Sequence, residues 1–174
     1  MKIDVSRFSD RYSVRCLREA DVPAILSLCS KNPQYYRHCP PFVTRQSIFD
    51  DMKALPPRKG YSDKYYVGYF DGNRLIAVMD FIMAYPDEET CFIGFFMTDA
   101  SVQNAGVGSG IIDELCQYLK EIGLTGIKLG WVSENPQAKH FWRKNGFKEV
   151  GITYDTDLYT VTVAKRALID QPKE

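Results

Sequence analysis

The most constraining stretch of this chain is a change of rhythm. Cys91 to Thr98 is an almost unbroken apolar and aromatic run, and Gln103-Asn104-Ala105-Gly106-Val107-Gly108-Ser109-Gly110 follows it closely. Ile111, Ile112, Leu115, Leu119 and Ile122 then recur at helical spacing before Gly123. A short continuous apolar run predicts a strand buried on both faces, and apolar residues every three to four positions predict one face of a helix. Gly123 predicts the helix C-cap, and Gly126 to Val132 reads as a further strand. Strand, glycine loop, helix and strand together imply a parallel, right-handed crossover, with a ligand site expected where the parallel strands diverge.

The remaining segments extend this unit to one domain over residues 1–174. A short strand at Tyr12 to Leu17 leads into Asp21-Val22-Pro23, where a carboxylate cap and an early proline open a helix through Cys29. Asn32 to Phe42 reads as an ordered aromatic loop, and a helix after Thr44 stops before Pro56-Pro57. Lys64 to Ala84 alternates around Asp71-Gly72-Asn73, which predicts a hairpin. Asn135-Pro136 opens a helix that Asn145-Gly146 ends, and Phe147–Tyr154 with Leu158–Ala164 closes the chain as a second hairpin. The expectation is an α/β fold of mixed α+β character, with helices on a mixed sheet. Residues 170–174 read as a short flexible tail.

The loop itself suits an anion. The N-terminus of a helix presents unpaired N–H groups and about half a positive charge, and glycine lets a ligand approach the backbone. Gly106 and Gly108 fit that role, although glycines at such a turn can also serve packing alone. No Gly-Lys-Ser/Thr follows, which excludes a P-loop, and Ile111 stands where a dinucleotide-binding fingerprint needs its third glycine.

Gln103-x-x-Gly106-x-Gly108 resembles the Q/R-x-x-G-x-G/A loop of the GNAT superfamily of N-acetyltransferases. Asn135-Pro136-Gln137-Ala138-Lys139-His140-Phe141-Trp142-Arg143-Lys144-Asn145-Gly146-Phe147 is similar to that family's N-x-x-A-x-x-[LF]-Y-x-K-x-G-F segment. The resemblance implies a mostly antiparallel central sheet of about six or seven strands, with a parallel pair at its middle and about four flanking helices. It also implies transfer of an acetyl group from acetyl-coenzyme A to a primary amine of a small molecule or protein, by direct attack in a ternary complex. Gln103, Asn104, Ala105, Gly106, Val107 and Gly108 would offer amides to the pyrophosphate, with Ser109 at the helix start. Phe96, Met97 and Thr98 would pair with the pantetheine arm through their backbone, and Asn135 would bond it from the other side. The family also allows a homodimer.

The proton chemistry follows the family less closely. Trp142 replaces the family's tyrosine, and an indole can line a pocket or donate a hydrogen bond but cannot act as an acid. Cys91 to Phe96 offers no titratable group except the thiol where some members carry a glutamate, and Glu88 and Glu89 read as solvated turn residues. Tyr154 and Tyr159 are the catalytic candidates, and Tyr35, Tyr36, His38 and Trp142 the candidates for holding the acceptor. Lys139, His140, Arg143, Lys144 and Lys148 can meet the ribose phosphate or simply form a solvated face. A non-catalytic module that binds acyl-coenzyme A is the alternative reading.

Composition bounds the rest. Lys plus Arg and Asp plus Glu number 22 each, so no net field gathers nucleic acid or a membrane surface. Five scattered cysteines without a C-x-x-C pair, and only two histidines, predict no metal site. The charged residues Met1 to Arg7 do not resemble a secretory signal, and the expected location is cytoplasmic.

Overall fold

A computed structural model describes residues 3–169, so the expected tail at 170–174 lies outside the described residues. Seven strands form one sheet in the order β1-β2-β3-β4-β5-β7-β6. They are β1 (Ser13–Cys16), β2 (Lys64–Asp71), β3 (Arg74–Ile82), β4 (Thr90–Thr98), β5 (Gly126–Val132), β6 (Lys148–Asp155) and β7 (Thr160–Ala167). Every neighbouring pair is antiparallel except β4 and β5, which run parallel. The helices are α1 (Val22–Ser30), α2 (Pro33–His38), α3 (Arg45–Lys53), α4 (Val107–Glu121) and α5 (Pro136–Lys144). None of them is long and apolar enough to cross a membrane.

The sheet buries both faces. On one, α4 lays Ile111, Ile112, Leu115 and Leu119 against Tyr69, Met79, Phe81 and Ile127. On the other, α1 and α3 bring Ile25, Leu28 and Ile48 onto Val78 and Met97. Each such side chain contributes about 1.5–3 kcal/mol by leaving water, which is why the helical spacing read from the sequence becomes packing. Gly123, at φ +91°, ends α4 as the sequence predicts.

Three local expectations are corrected. Asn32 to Phe42 contains α2, because Pro33 occupies the first turn, where its missing N–H is harmless, and Tyr35 packs edge-on against Phe95 at 5.8 Å. Asp21 does not cap α1; its carboxylate accepts instead from Arg15 at 2.8 and 2.9 Å and from the Arg18 N–H. Finally, β4 is not buried on both faces throughout, since Gly94 is exposed and Phe95 and Phe96 are half-buried.

That last departure makes the site. Register passes from Asp80↔Phe95 to Phe81↔Ile93, leaving Gly94 as an extra residue in β4. Such a bulge bends its strand. The β4–β5 ladder accordingly ends at Ile93↔Leu129, and beyond it Phe95 to Thr98 keep one edge unpaired.

Candidate functional site

The gap between β4 and β5 opens into two adjoining cavities of about 380 and 200 Å³. Tyr35, Phe96, Asn135, Ala138 and Trp142 line both.

The larger cavity is walled by the loop before α4. Gly106 adopts φ +77° and Asn104 φ +59°, a left-handed pair of positions that turns the chain into the helix. No side chain caps α4, and its first paired amide is Gly110, whose N–H reaches the Gly106 carbonyl at 2.9 Å. The N–H groups of residues 104 to 109 make no hydrogen bond within the described residues. These residues are exposed or half-buried, so their N–H groups are open to a ligand, and a row of them at a helix start is a seat for an anion. The two glycines differ in their reasons. A Cβ on Gly106 would stand in open space, whereas one on Gly108 would meet the Phe141 ring at 3.1 Å, so residue 108 is small for packing as well.

Gln103 does not wait for a ligand with its side chain. Its Nε2 donates to the Asn32 Oδ1 at 2.5 Å and to the Thr98 carbonyl at 3.1 Å, tying the loop to the start of α2 and to β4. Next to it, Asp99 is sealed from solvent and accepts from Lys31 and Arg74 at 3.1 Å each and from the Ser101 N–H at 2.9 Å. Burial alone would raise its pKa, but the hydrogen bonds from Ser101 and Lys31 outweigh it and hold the carboxyl at about 2.

Of the residues expected to meet the coenzyme, Phe96, Met97, Thr98, Gln103, Asn104, Gly106, Val107, Gly108, Ser109, Asn135 and Trp142 line this cavity, and Ala105 does not. Asn135 is buried at the start of α5, where its Oδ1 accepts the Ala138 N–H at 3.1 Å. Its Nδ2 has no partner among the described residues and remains available to a ligand. Among the basic residues of α5, His140 and Lys144 reach the cavity wall, while Arg143 is held by Glu149 at 2.7 Å.

The smaller cavity has a different character. Tyr35, Tyr154 and Tyr159 line it together with Trp142, whereas Tyr36 and His38 line neither cavity. One residue along a helix turns the side chain by about 100°, so Tyr36 packs on Tyr35 and Phe42, at 5.0 and 5.1 Å, while Tyr35 faces β4. Trp142 belongs to the core as much as to the cavity, only 7% exposed and edge-on to Phe141 and Phe147 at 4.9 and 5.1 Å. Tyr159 accepts a hydrogen bond from the Cys39 thiol at 3.4 Å, and that contact together with burial pushes its pKa up to about 12. Burial and the neighbouring Tyr85 raise Tyr154 as well.

One group escaped the sequence reading. Asp80 lies on β3, where it reads as an ordinary polar interruption, but the β4 bulge brings it against Gly94. A Cβ on Gly94 would lie 2.8 Å from the Asp80 Oδ2. Oδ1 is paired with Lys64 at 2.7 Å, with both side chains largely buried, and Oδ2 makes no hydrogen bond within the described residues. Burial raises the Asp80 pKa against the opposing pull of Lys64. A carboxylate with one free oxygen and a raised pKa is suited to accepting a proton. Only the register across the bulge, which the sequence does not display, could have found it.

Comparisons with known proteins agree with this geometry. The sequence model described as "Acetyltransferase (GNAT) family" matches residues 29–147. No curated protein matches the chain. Solved structures share the fold, among them an acetyltransferase from Thermus thermophilus at 18% identity and a TM-score of 0.72, covering 90% of this chain and 96% of that one. The ribosomal-protein-S18-alanine N-acetyltransferase from Escherichia coli, at 14% identity, has a TM-score of 0.66 with coverage of 93% and 97%. The paia N-acetyltransferase from Thermoplasma acidophilum, in complex with coenzyme A, gives 0.63 at 14% identity, with coverage of 90% and 98%.

Proposed function

Because this chain belongs to the GNAT acetyltransferase family, we propose that it moves the acetyl group of acetyl-coenzyme A onto a primary amine, the two bound together at the β4–β5 gap. The observation that carries the reading is the row of unpaired N–H groups at residues 104 to 109 on the wall of a cavity that continues past Trp142 into a second one. The amides of Gly106 to Ser109 hold the pyrophosphate, each charge-assisted bond contributing about 1.5–3 kcal/mol. The free edge of Phe96 to Thr98 and the Asn135 Nδ2 bond the pantetheine arm.

In the transfer, the ammonium first gives one proton to solvent, the neutral nitrogen forms a bond to the thioester carbonyl carbon, the carbon–sulfur bond breaks, and a second proton must leave the nitrogen as the thiolate departs. That proton passes by water to the free Oδ2 of Asp80, behind Gly94. Tyr154 and Tyr159 act on the sulfur as hydrogen-bond donors. With Tyr159 pushed up to about 12 and a free thiol at about 8.5, complete proton transfer to the thiolate would run uphill, so both tyrosines stay donors. Trp142 shapes the wall and transfers no proton.

Calorimetry with acetyl-coenzyme A, followed by thiol release across a panel of amines, tests the proposal. Binding with amine-dependent thiol release is expected. Tight binding with no release for any amine would instead favour the non-catalytic module, a reading to which Trp142 in place of a tyrosine gives some support.

A further inference from the structure

We infer that the acceptor is a small monoamine with an aromatic body, bound in the smaller cavity; the inference rests on the acetyl-transfer reading above. None of the seventeen residues lining that cavity carries a charge, and eight are aromatic. Tyr35 from α2, Phe92 and Phe95 from β4, Trp142 from α5, and Tyr154 and Tyr159 from the closing hairpin supply most of its surface. The cavity on the coenzyme side, by contrast, has His140 and Lys144 at its wall.

This lining discriminates among amines. A polyamine seated in it would bring a second ammonium among lining residues that include no carboxylate, the Asp80 Oδ2 behind Gly94 being taken by the reacting nitrogen's proton, and an amino acid would bring a carboxylate with no cation on the wall, both disfavoured relative to water. A monoamine brings one charge, which it must lose in order to attack. Until then the faces of the surrounding rings and the tyrosine hydroxyls can hold it. An aromatic body adds offset or edge-on contacts to rings already arranged that way, as Tyr35 and Phe95 are at 5.8 Å. The volume of about 200 Å³ is below the roughly 300–1,000 Å³ of sites that enclose drug-sized ligands, so one ring and a short tether is the appropriate size.

The test compares kcat/KM for phenethylamine, spermidine and a lysine-containing peptide with acetyl-coenzyme A, in the native protein and in Tyr154→Asp. Tyr154 is 51% exposed on an edge strand, so the substitution leaves the fold intact, and it places a carboxylate at the cavity wall. Phenethylamine is expected to exceed both other amines by at least about tenfold, and Tyr154→Asp to shift the phenethylamine-to-spermidine ratio at least about tenfold toward spermidine. The ratio is insensitive to any catalytic loss common to both amines. Equal or better turnover of spermidine or the peptide by the native protein, or an unchanged ratio in the variant, overturns the inference while acetyl transfer stands. No thiol release above the amine-free rate with any of the three amines overturns both.

Discussion

At the loop end of the cleft the chain presents unpaired main-chain amides, residues 104 to 109, across the turn into α4 and its first residues. At the hairpin end of the same cleft it presents aromatic side chains gathered from α2, β4, α5 and the β6–β7 hairpin. Amides at a helix start are set by a single local stretch of chain, so that end tolerates almost any side chain that leaves the backbone reachable. The aromatic end exists only after distant segments have packed, and there each side chain is the chemistry. The difference predicts that substitutions at the loop end change coenzyme affinity, while substitutions at the other end change turnover and choice of amine.

The largest expected effect falls behind the aromatic end. Asp80→Asn keeps the size of the side chain and an acceptor for Lys64 but removes the proton acceptor, and kcat should fall about 100-fold with acetyl-coenzyme A affinity unchanged. Since only the ionised carboxylate can accept a proton, activity of the native enzyme falls as pH drops through the Asp80 pKa, which burial lifts above 3.8. The variant should lose that limb of the pH–rate profile. The charge bearing on Asp80 is that of Lys64 on β2, which pulls its pKa down, so the limb should move to higher pH when Lys64 is neutralised. Lys64→Met with Asp80→Asn guards against a folding artefact, because it removes the buried cation left without its counter-charge. Unchanged kcat and an unchanged pH profile in the double variant would remove Asp80 from the mechanism.

A smaller effect separates the two ends by position. Gly106 and Gly123 both have positive φ, +77° and +91°, and a Cβ would meet nothing within 4 Å at either. Leucine at either position should therefore cost about 1–2 kcal/mol of backbone strain, read as a matching fall in unfolding free energy. Only Gly106 lines the larger cavity, so Gly106→Leu should also weaken acetyl-coenzyme A binding by at least about tenfold, while Gly123→Leu leaves it untouched. Equal affinities would mean that the loop amides do not hold the coenzyme.

The same contrast explains what the sequence could and could not reveal. The strand, glycine loop and helix were legible because Gly106, the spacing of Ile111, Leu115 and Leu119, and Gly123 each state a local backbone requirement within some twenty residues. The parallel pair followed from the crossover rule. Tyr35 and Tyr36 were indistinguishable in sequence, because only the phase of a six-residue helix decides which one faces β4. Asp80 was invisible because its role depends on one extra residue in the neighbouring strand, a register fact that composition and periodicity on β3 do not encode. Trp142 read as either pocket or core, and it is part of both because α5 lies along the opening itself.

The smallest expected effect concerns how the loop end is held rather than what it binds. Asp99 anchors the start of the loop through Lys31, Arg74 and Ser101, and those bonds hold its pKa at about 2 against a usual 3.8. A depressed carboxylate stabilises the fold fully above its unfolded value, and the contribution disappears as pH falls from 3.8 to about 2. Lys31 and Arg74 are both more than half exposed, so water screens much of the attraction and the net contribution is about 1 kcal/mol. Asp99→Asn should therefore lower the melting temperature by about 2–4 °C at neutral pH and flatten the acid decline over that window. Behind the aromatic end burial raises Asp80, and a carboxylate raised in the fold loses no stabilisation as pH falls, so between 3.8 and about 2 acid should loosen the loop end first. Hydrogen exchange between pH 4 and 2 would read this as protection lost first at the bonded amides of Asp99, Ser101, Val102, Gln103 and Gly110. Simultaneous loss at α2 and the closing hairpin would show that the two ends open as one unit, and the division between them would not extend to stability.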